Sequence, residues 1–554
     1  MATLYAIAAG GNWDTVGTWS DTSSGGSSSG TVPTSSTDVV FDSGSVGAVV
    51  VNQTTCVCKT LTFQDADNII TFSTSKKLTV SGDVTFFTGQ STNISGAGTL
   101  EINAVATLTS AGNTIPGGFT FNKAGTDPDV GGTAAVLTLV GNAIVTGLFT
   151  IASGSDYCEL DWTTNETLTC NGGITCSAWM CLGTAKIIAG GGTIQSGSDV
   201  CPISNMLDLA GDITVGSVLC FYGSQMDDNT GITYVSGSIT TTSSTLYIRC
   251  NCFLDTPTAD MHWNNLHFMN YGDVDLKDDT TIDGDLVTEN TTTFKTSDIY
   301  IAGDLTVGIM GGTGSFAGNR TIIMEGSGTW TARSLSSVDC NLTFDATGET
   351  IVVSGVVCFG TKTLTYTAGT ITTTSSRLSI QSSCTLDTDG VSWNDISLIS
   401  ASTVTLSSDL TCTGKLSIST QGTTEFAGAF DIDCGTLYMA PDGAIGAASV
   451  LSLVAGQTLT VSTAMYVTST MYDNVLYSNT IQSSTESDTN LAFAGAAADC
   501  KIFNTIFTYV DASTSAQGID NWYGGTLSNT TNITNRTSAD IGGGASNNVF
   551  GIIA

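Results

Sequence analysis

Carboxylates are the most abundant reactive groups in this chain, which has 49 Asp and Glu residues among 554. Two carboxylates about 5–10 Å apart can cleave a glycosidic bond. Asp255 and Asp387 occupy equivalent positions of an internal repeat, which indicates a turn-forming role for both. We favour structural or solvated carboxylates, and glycan cleavage stays open. No sequence context singles out the other candidates, which include Asp156, Glu159, Asp161, Asp227 and Asp228.

Tryptophan side chains are the second group of interest, because an aromatic face can stack on the C–H face of a sugar ring. Two of them lie in the equivalent segments WNNL and WNDI, which begin at residues 263 and 393. The same positions suit a large side chain packed at a corner or a subunit contact, and we favour that interpretation. The candidate glycan contacts are Trp162, Trp179, Trp263 and Trp393.

The remaining groups predict neither a metal site nor a cofactor. His262 and His267 are the only histidines, too few for a multi-histidine site. Among the sixteen cysteines, Cys176-x₄-Cys181 is a poor approach to a zinc motif, so buried core thiols are favoured over disulfides or metal ligands. The sequence has no P-loop, GxGxxG turn, nucleophile elbow or HExxH segment. We therefore expect no catalytic residues, and enzyme activity, if present, would be glycan cleavage.

Charge limits the possible partners. Fifteen Lys and Arg residues against 49 Asp and Glu leave a formal net charge of −34, which repels nucleic acids and anionic lipids. No apolar run approaches the length of a membrane span, and MATLYAIAAGGNW lacks the basic region of a secretion signal. We expect no nucleic-acid partner, no membrane insertion and no export by the usual route.

The elements that position these residues come from a chain that repeats itself. SITTTSSTLYIRCNCFLDT (238–256) matches TITTTSSRLSIQSSCTLDT (370–388) without a gap, at an offset of 132 residues. LTLVGNAIVTG (137–147), VDLKDDTTIDG (274–284) and VTLSSDLTCTG (404–414) share a strand, a turn, a second strand and a closing Gly. Repeats of this kind form stacks in which each unit covers the apolar face of its neighbour.

Composition favours strands over helices. The chain has 63 Gly, abundant Thr and Ser, and short Thr, Val and Ile runs broken by Gly, Asn and Asp. These features are typical of strands joined by tight turns. We predict an all-β fold, a right-handed parallel β-helix (β-solenoid) with short N- and C-terminal capping regions. The predicted segments are an N-terminal cap or attachment region at 1–50, a repetitive β-helix at 51–500 and closing coils with a cap at 501–554.

Both ends of the chain carry a resemblance. GGNWDTVGTW (10–19), VPTSSTDVVFDSGS (32–45) and IFTYVDASTSAQGIDNWYGGTLSNTTNITN (506–535) resemble the ends of phage-encoded β-solenoid virion proteins, such as tail fibres and tailspikes, and of related bacterial surface proteins. The resemblance implies an exposed fibre or spike of a tailed-phage particle, made in the host cytoplasm. It also implies other virion proteins and a host surface glycan or protein as partners, and a homotrimer. A depolymerase tailspike and a bacterial surface adhesin are the alternatives.

Overall fold

The computed structural model describes residues 2–126, 133–151, 158–162, 166–176, 180–182, 186–196, 206–222, 231–249, 251–257, 261–269, 272–308, 314–332, 336–420, 422–439, 448–468, 470–472, 475–496, 499–516, 518–522 and 526–536. These residues contain no α-helix, and their strands form a parallel β-solenoid of about 19 turns. The prediction of an all-β parallel β-helix is confirmed. Within the described residues, no helix has the length and apolar character needed to span a bilayer.

The chain divides into two compact units. Unit 1 comprises Met1–Gly284 with Lys295–Ser297, and unit 2 comprises Asp285–Phe294 with Asp298–Ala554. Inside the segment 1–50, strand Ala2–Ala6 already pairs in parallel with Thr37–Phe41, so this segment contributes strands to the first stack of the solenoid.

Unit 1 consists mainly of three stacks of parallel strands. The first stack contains Ala2–Ala6, Thr37–Phe41, Thr60–Phe63, Val84–Thr85, Ala106–Thr109, Ala135–Val140, Cys158–Trp162 and Met180–Leu182. The second contains Gly11–Asn12, Val49–Val51, Ile70–Phe72 and Ile94–Gly96, then Thr114–Ile115, Ala143–Val145, Thr167–Cys170, Lys186–Ala189, Met206–Ala210, Gly231–Ser236, Cys252–Asp255 and Gly272–Leu276. The third contains Cys56–Cys58, Lys77–Val80, Thr99–Ile102, Gly118–Phe121, Phe149–Ile151, Gly173–Cys176, Gly192–Ser196, Ile213–Val215 and Ile239–Thr240.

A few elements of unit 1 lie outside these stacks. Val218–Tyr222, Thr245–Arg249 and Asn265–Phe268 pair in one short series, and His262–Trp263 pairs with Thr280–Ile282. Trp19–Ser20 pairs antiparallel with Ala2–Ala6 and covers the otherwise free edge of the first stack. Single 3₁₀ turns occur at Val16–Thr18 and Gln90–Asn93.

The core follows from the alternation of side chains along each strand. Successive side chains point to opposite faces, so every second residue faces inward and aligns with its register partner in the next coil. Phe41 and Phe63 are register partners whose ring centroids lie 4.5 Å apart, and the Phe63 and Phe86 rings stack at 5.3 Å. All three rings are buried. The core is therefore a column of like side chains, each contributed by one coil.

Buried amides connect successive coils at one corner of unit 1. Asn68 Nδ2 donates to the Asp42 carbonyl oxygen at 2.7 Å, and Gln90 Nε2 donates to the Asn68 carbonyl oxygen at 2.9 Å. Asn113 Nδ2 continues the series by donating to the Phe87 carbonyl oxygen at 2.7 Å. A buried turn leaves backbone groups that need hydrogen-bond partners, and these side chains supply them.

Unit 2 has the same parallel pairing, with several longer strands that continue round corners of the coil. Ser337–Ser354, for example, pairs with both parts of Ser315–Met324 and also with Gly328–Ala332. Its strands are Leu286–Thr288, Thr292–Phe294, Ile299–Ile301, Leu305–Val307, Ser315–Met324, Gly328–Ala332, Ser337–Ser354, Val356–Phe359, Thr363–Thr372, Arg377–Ile380, Cys384–Asp387, Ser392–Trp393, Asp395–Leu398, Thr403–Leu406, Leu410–Ile418, Gly422–Ala427, Ile432–Met439, Ser449–Leu453, Thr458–Val467, Thr470–Tyr472, Val475–Tyr477, Thr480–Ser483, Thr489–Phe493, Cys500–Phe503, Ile506–Asp511, Ile519–Trp522, Leu527–Thr531 and Ile533–Arg536. Thr470–Tyr472 and Val475–Tyr477 form an antiparallel hairpin.

The two copies of the 132-residue repeat make the same contacts, one copy in each unit. The turns at 241–244 and 373–376 each place their third residue, a Ser, in the left-handed region, at φ 64° and 65°. Asn264 Nδ2 donates to the last carbonyl oxygen of the first turn at 3.1 Å, and Asn394 Nδ2 does the same in the second at 3.2 Å. The repeat in sequence is therefore a repeat in structure.

The glycine that closes each of the three longer blocks lies against the preceding coil. A Cβ atom at Gly147 would lie 2.6 Å from the Gly117 carbonyl carbon. At Gly284 and Gly414 it would lie 2.6 Å from the carbonyl oxygens of Asn264 and Asn394. No side chain fits at these distances, which explains why all three blocks end on Gly.

Candidate functional site

Two of the four tryptophans proposed as glycan contacts lie in the core. Trp263 and Trp393 are each 0% exposed, so neither ring is accessible to a sugar. Neither is therefore a glycan contact in this structure, and packing at a corner, the interpretation favoured from the sequence, describes both residues. Trp162 ends strand Cys158–Trp162, but its side chain, like the whole of Trp179, lies outside the described residues.

Aspartates at the corners bond one coil to the next. Asp83 Oδ1 accepts the N–H of Thr107 at 2.7 Å, and Asp431 Oδ1 accepts the N–H of Thr458 at 2.8 Å. A carboxylate that accepts a backbone N–H from the following coil has a structural role. The same arrangement recurs at Asp212, Asp285, Asp298, Asp304, Asp395 and Asp409. Eight of the 49 acidic residues thus connect successive coils at corners.

Asp255 and Asp278 are two carboxyl groups that interact with each other. Burial raises the pKa of Asp255, and the charge of Asp278 together with a hydrogen bond between the two side chains raises it further. Carboxyls in direct hydrogen-bond contact are closer than the roughly 5 Å or more that glycosidases need between acid and nucleophile or base. Asp387, the repeat equivalent of Asp255, likewise ends a strand before a turn. Of the other sequence candidates, Asp156, Asp227 and Asp228 lie outside the described residues.

The thiols are mostly core residues. Burial raises the pKa of Cys176 and Cys384 to about 12, so they are protonated and unreactive at neutral pH. Cys220 is disulfide-bonded. In the part of the chain that the structure describes, no three His, Cys, Asp or Glu side chains converge to hold a metal ion. The free thiols include Cys56, Cys58, Cys170, Cys176, Cys340, Cys384, Cys412, Cys434 and Cys500.

A row of outward-facing serines on unit 2 forms a candidate binding site, here named the serine groove. Ser379, Ser397 and Ser417 are register partners on three successive strands, each between two inward-facing apolar residues. They face away from the core, yet their exposed fractions are only 5%, 7% and 9%. Longer neighbouring side chains must therefore cover most of each serine, and we describe the row as the floor of a groove. Their hydroxyls have no hydrogen-bond partner among the described residues, so they offer unused donors and acceptors.

The two edges of the serine groove differ in character. Side chains two positions along a strand share a face. One edge therefore consists of Arg377, Asp395 and Lys415, and the opposite edge includes Ile399, which is 42% exposed. Asp395 Oδ1 accepts the backbone N–H of Lys415 at 2.7 Å. The first edge carries two cations and one carboxylate, a local positive excess in a chain with a net charge of −34.

Two tyrosines continue the row beyond the serines. Tyr438 is the register partner of Ser417 and is 36% exposed, and Tyr466 is its partner in the next coil. Lys415 Nζ lies 5.1 Å from the centroid of the Tyr438 ring, and Lys501 Nζ lies 5.4 Å from that of Tyr466. Both are cation–π distances. Along the row, the serine hydroxyls are therefore followed by aromatic side chains that lie beside ammonium groups.

Three cations of this surface have no carboxylate partner in the part of the chain that the structure describes. Elsewhere Lys59 and Lys77 form ion pairs with acidic side chains, at 3.5 and 3.0 Å. Within the described residues, Arg377, Lys415 and Lys501 make no such pair. The surface can therefore accept an anion without first breaking an ion pair.

Sequence reasoning missed the serine groove. The signal is present as RLSI (377–380), DISL (395–398) and KLSI (415–418), in which a Ser lies between two apolar residues. These segments predict strands, but they do not reveal that the three Ser residues are in register or that their neighbours bury them.

No family model, curated protein or solved structure matches this chain.

Proposed function

We propose that this chain is a non-enzymatic binding protein whose serine groove takes an extended acidic polysaccharide of a host cell surface. The observation that carries the proposal is the row of three well-covered serines whose hydroxyls have no partner in the described structure. Each hydroxyl can exchange its contact with water for a hydrogen bond to a ligand, a net gain of about 0.5–1.5 kcal/mol per bond.

The dimensions and chemistry of the groove support an extended glycan. Serines on successive coils repeat at about 4.8 Å, the spacing of parallel strands, which is close to the length of one sugar ring. A chain lying along the row would place about one residue on each serine, and its apolar ring faces would suit Tyr438 and Ile399. Aromatic side chains with a polar tip are favoured for such contacts.

The charges favour acidic over neutral sugars. Charges more than about 8–10 Å away are largely screened at physiological ionic strength, so the groove edge outweighs the distant carboxylates. Arg377 and Lys415 can each pair with a sugar carboxylate, and Arg377 can do so with two parallel hydrogen bonds.

The setting we propose is an exposed fibre or spike of a tailed-phage particle. The end segments that resemble phage β-solenoid virion proteins support it, and so does the parallel solenoid. Electron microscopy of particles with an antibody to this chain tests the setting: label on projecting appendages supports it, and label on cell envelopes alone contradicts it. The homotrimer remains a prediction that light scattering checks.

Binding of soluble polygalacturonate, with neutral dextran for comparison, tests the proposed ligand. Calorimetry should show binding of the polyuronate that weakens with salt, and a large loss of affinity in the double variant Arg377→Ala/Lys415→Ala. Lys362→Ala is the matched control, because Lys362 lies in unit 2 outside the groove and bonds to Asn319 Oδ1. Replacing the three serines by Ala should weaken binding and leave stability unchanged.

Three results would contradict the proposal. Equal affinity for polygalacturonate and dextran, or equal loss in the control variant, would remove the groove as an acidic-glycan site. Release of new reducing ends during incubation would show cleavage and favour the depolymerase alternative.

A further inference from the structure

Unit 2 also has a cavity, at a corner where three strands bend. Its volume is about 270 Å³, and its lining includes Thr411, Thr413, Thr460, Ser462, Cys412 and Cys434. The three strands, Leu410–Ile418, Ile432–Met439 and Thr458–Val467, shift register at this corner. Residues with hydroxyl side chains and two cysteines thus line this cavity.

The two thiols are register partners. Cys412 pairs with Cys434, and among the described strands no other two cysteines pair in register. Trp393 precedes them in the same column and Val461 follows. Register partners on parallel strands point the same way, so both thiols belong to one inward-facing column. Their residues are only 1% and 3% exposed.

The spacing suits a bridging ion better than a disulfide. Side chains on paired parallel strands are held about 4.8 Å apart by the strand spacing. A disulfide tolerates this spacing between its Cα atoms but requires Cβ atoms about 3.5–4.5 Å apart, so oxidation would draw the two side chains slightly towards each other. Two thiolates bound to one ion on a straight line, at metal–sulfur distances like the roughly 2.3 Å of zinc, place the sulfurs about 4.6 Å apart. The strand spacing matches that arrangement without strain.

We propose that Cys412 and Cys434 bind a soft divalent cation that takes two collinear thiolates, of the mercuric type. The ion replaces one proton on each thiol, both protons pass to solvent, and the product is a neutral bis-thiolate. Neutrality matters because a buried net charge is costly. A monovalent soft ion would leave a negative complex beside Asp433, which also borders the cavity.

Other metals fit less well. Zinc takes four ligands in structural sites, and three convergent His, Cys, Asp or Glu side chains are absent from the described residues. Cys412 Sγ at present lies 3.4 Å from the Asn394 carbonyl oxygen, a weak contact that metal binding would replace. Soft thiolate ligands select soft ions, which agrees with the proposed class.

Mercuric chloride is the probe, added to the full chain in the presence of a monothiol competitor. The variant Cys412→Ala/Cys434→Ala should lose about 10²-fold or more in apparent affinity, because a paired site gains from effective concentration. Cys170→Ala/Cys384→Ala is the matched control. It also removes two buried thiols, but Cys170 pairs with Ala189 and Cys384 with Val404. The control should keep the tight site.

A second measurement needs no variant. Anomalous diffraction from wild-type crystals soaked with one equivalent of mercuric chloride should give its strongest peak between the two sulfur atoms. A strongest peak elsewhere, equal affinity in the two double variants, or a Cys412–Cys434 disulfide seen by mass spectrometry under air would each overturn the proposal.

Discussion

Replacing Asn68 with Ala removes four hydrogen bonds from a fully buried corner of unit 1. Asn68 Nδ2 donates to the carbonyl oxygens of Asp42 and Ser45, at 2.7 and 3.1 Å. Its Oδ1 accepts the backbone N–H groups of Gln64 and Asp65, at 3.2 and 3.0 Å. The side chain itself is 0% exposed.

The cost depends on which of the four partners keeps another hydrogen bond. The Asp42 carbonyl oxygen still accepts the N–H of Ser45, and the Gln64 N–H still donates to the Phe41 carbonyl oxygen. Loss of the Asn68 hydrogen bond to each of these two groups therefore destabilises the fold by only about 0.5–1 kcal/mol. The Ser45 oxygen and the Asp65 N–H have no second partner among the described residues, so each loss costs about 1–3 kcal/mol. The four losses sum to about 3–8 kcal/mol, and we take a value towards the lower end, about 4 kcal/mol, for the variant.

Amide hydrogen exchange measures this change where it occurs. In a stacked fold, stability is a sum over coils and their interfaces, so the opening of the affected coils reports it better than global unfolding. A change of about 4 kcal/mol corresponds to roughly 10³-fold faster exchange of amides in those coils. Asn122→Ala is the control, because Asn122 is exposed and its side chain makes no described hydrogen bond. Acceleration below about tenfold, or equal acceleration in both variants, would contradict the stabilising role assigned to the buried Asn68 amide.

Three further outcomes are expected. Burial lowers the pKa of His267 from 6.5 to about 4. Between these two pH values only the unfolded chain binds this proton, so the free energy of unfolding falls as the pH falls from 6.5 to about 4. His267→Gln should remove this loss of stability, and NMR titration of the two histidines should place the pKa of His267 near 4. Asp278→Asn should lower the raised pKa of Asp255 towards its usual value, and an unchanged carboxyl titration by carbon NMR would contradict the proposed contact. Trp393→Phe should cost less than about 2 kcal/mol in denaturant unfolding, against about 3–5 for Trp393→Ala, because Phe keeps most of the apolar volume and removes an indole N–H that is buried without a partner.

The repeat could be recognised in the sequence because equivalent coils of a solenoid require similar residues at equivalent positions. The match between 238–256 and 370–388 predicted equivalent surroundings, and the structure gives both copies the same left-handed Ser and the same Asn contact. The sequence shows that each long block ends on Gly. Only the structure shows why: a Cβ atom at this position would clash with a carbonyl group of the preceding coil.

The candidate sites were less accessible to sequence reasoning. Trp263 and Trp393 have the right side chain for sugar stacking, but strand alternation turns both rings into the core. The serine groove depends on which residues of three separate strands share a row, and the Cys412–Cys434 pair depends on the same kind of register.

The amino-acid sequence by itself determined the all-β class, the repeat, the corner residues and the acidic surface, because each arises from propensity, periodicity or charge within one coil. Tertiary structure alone decided which side chains of different coils become neighbours. Coils of unequal length separate those residues by varying distances along the chain, while the hydrogen-bonded register brings them about 4.8 Å apart. Grooves, thiol pairs and carboxyl pairs are all products of that register.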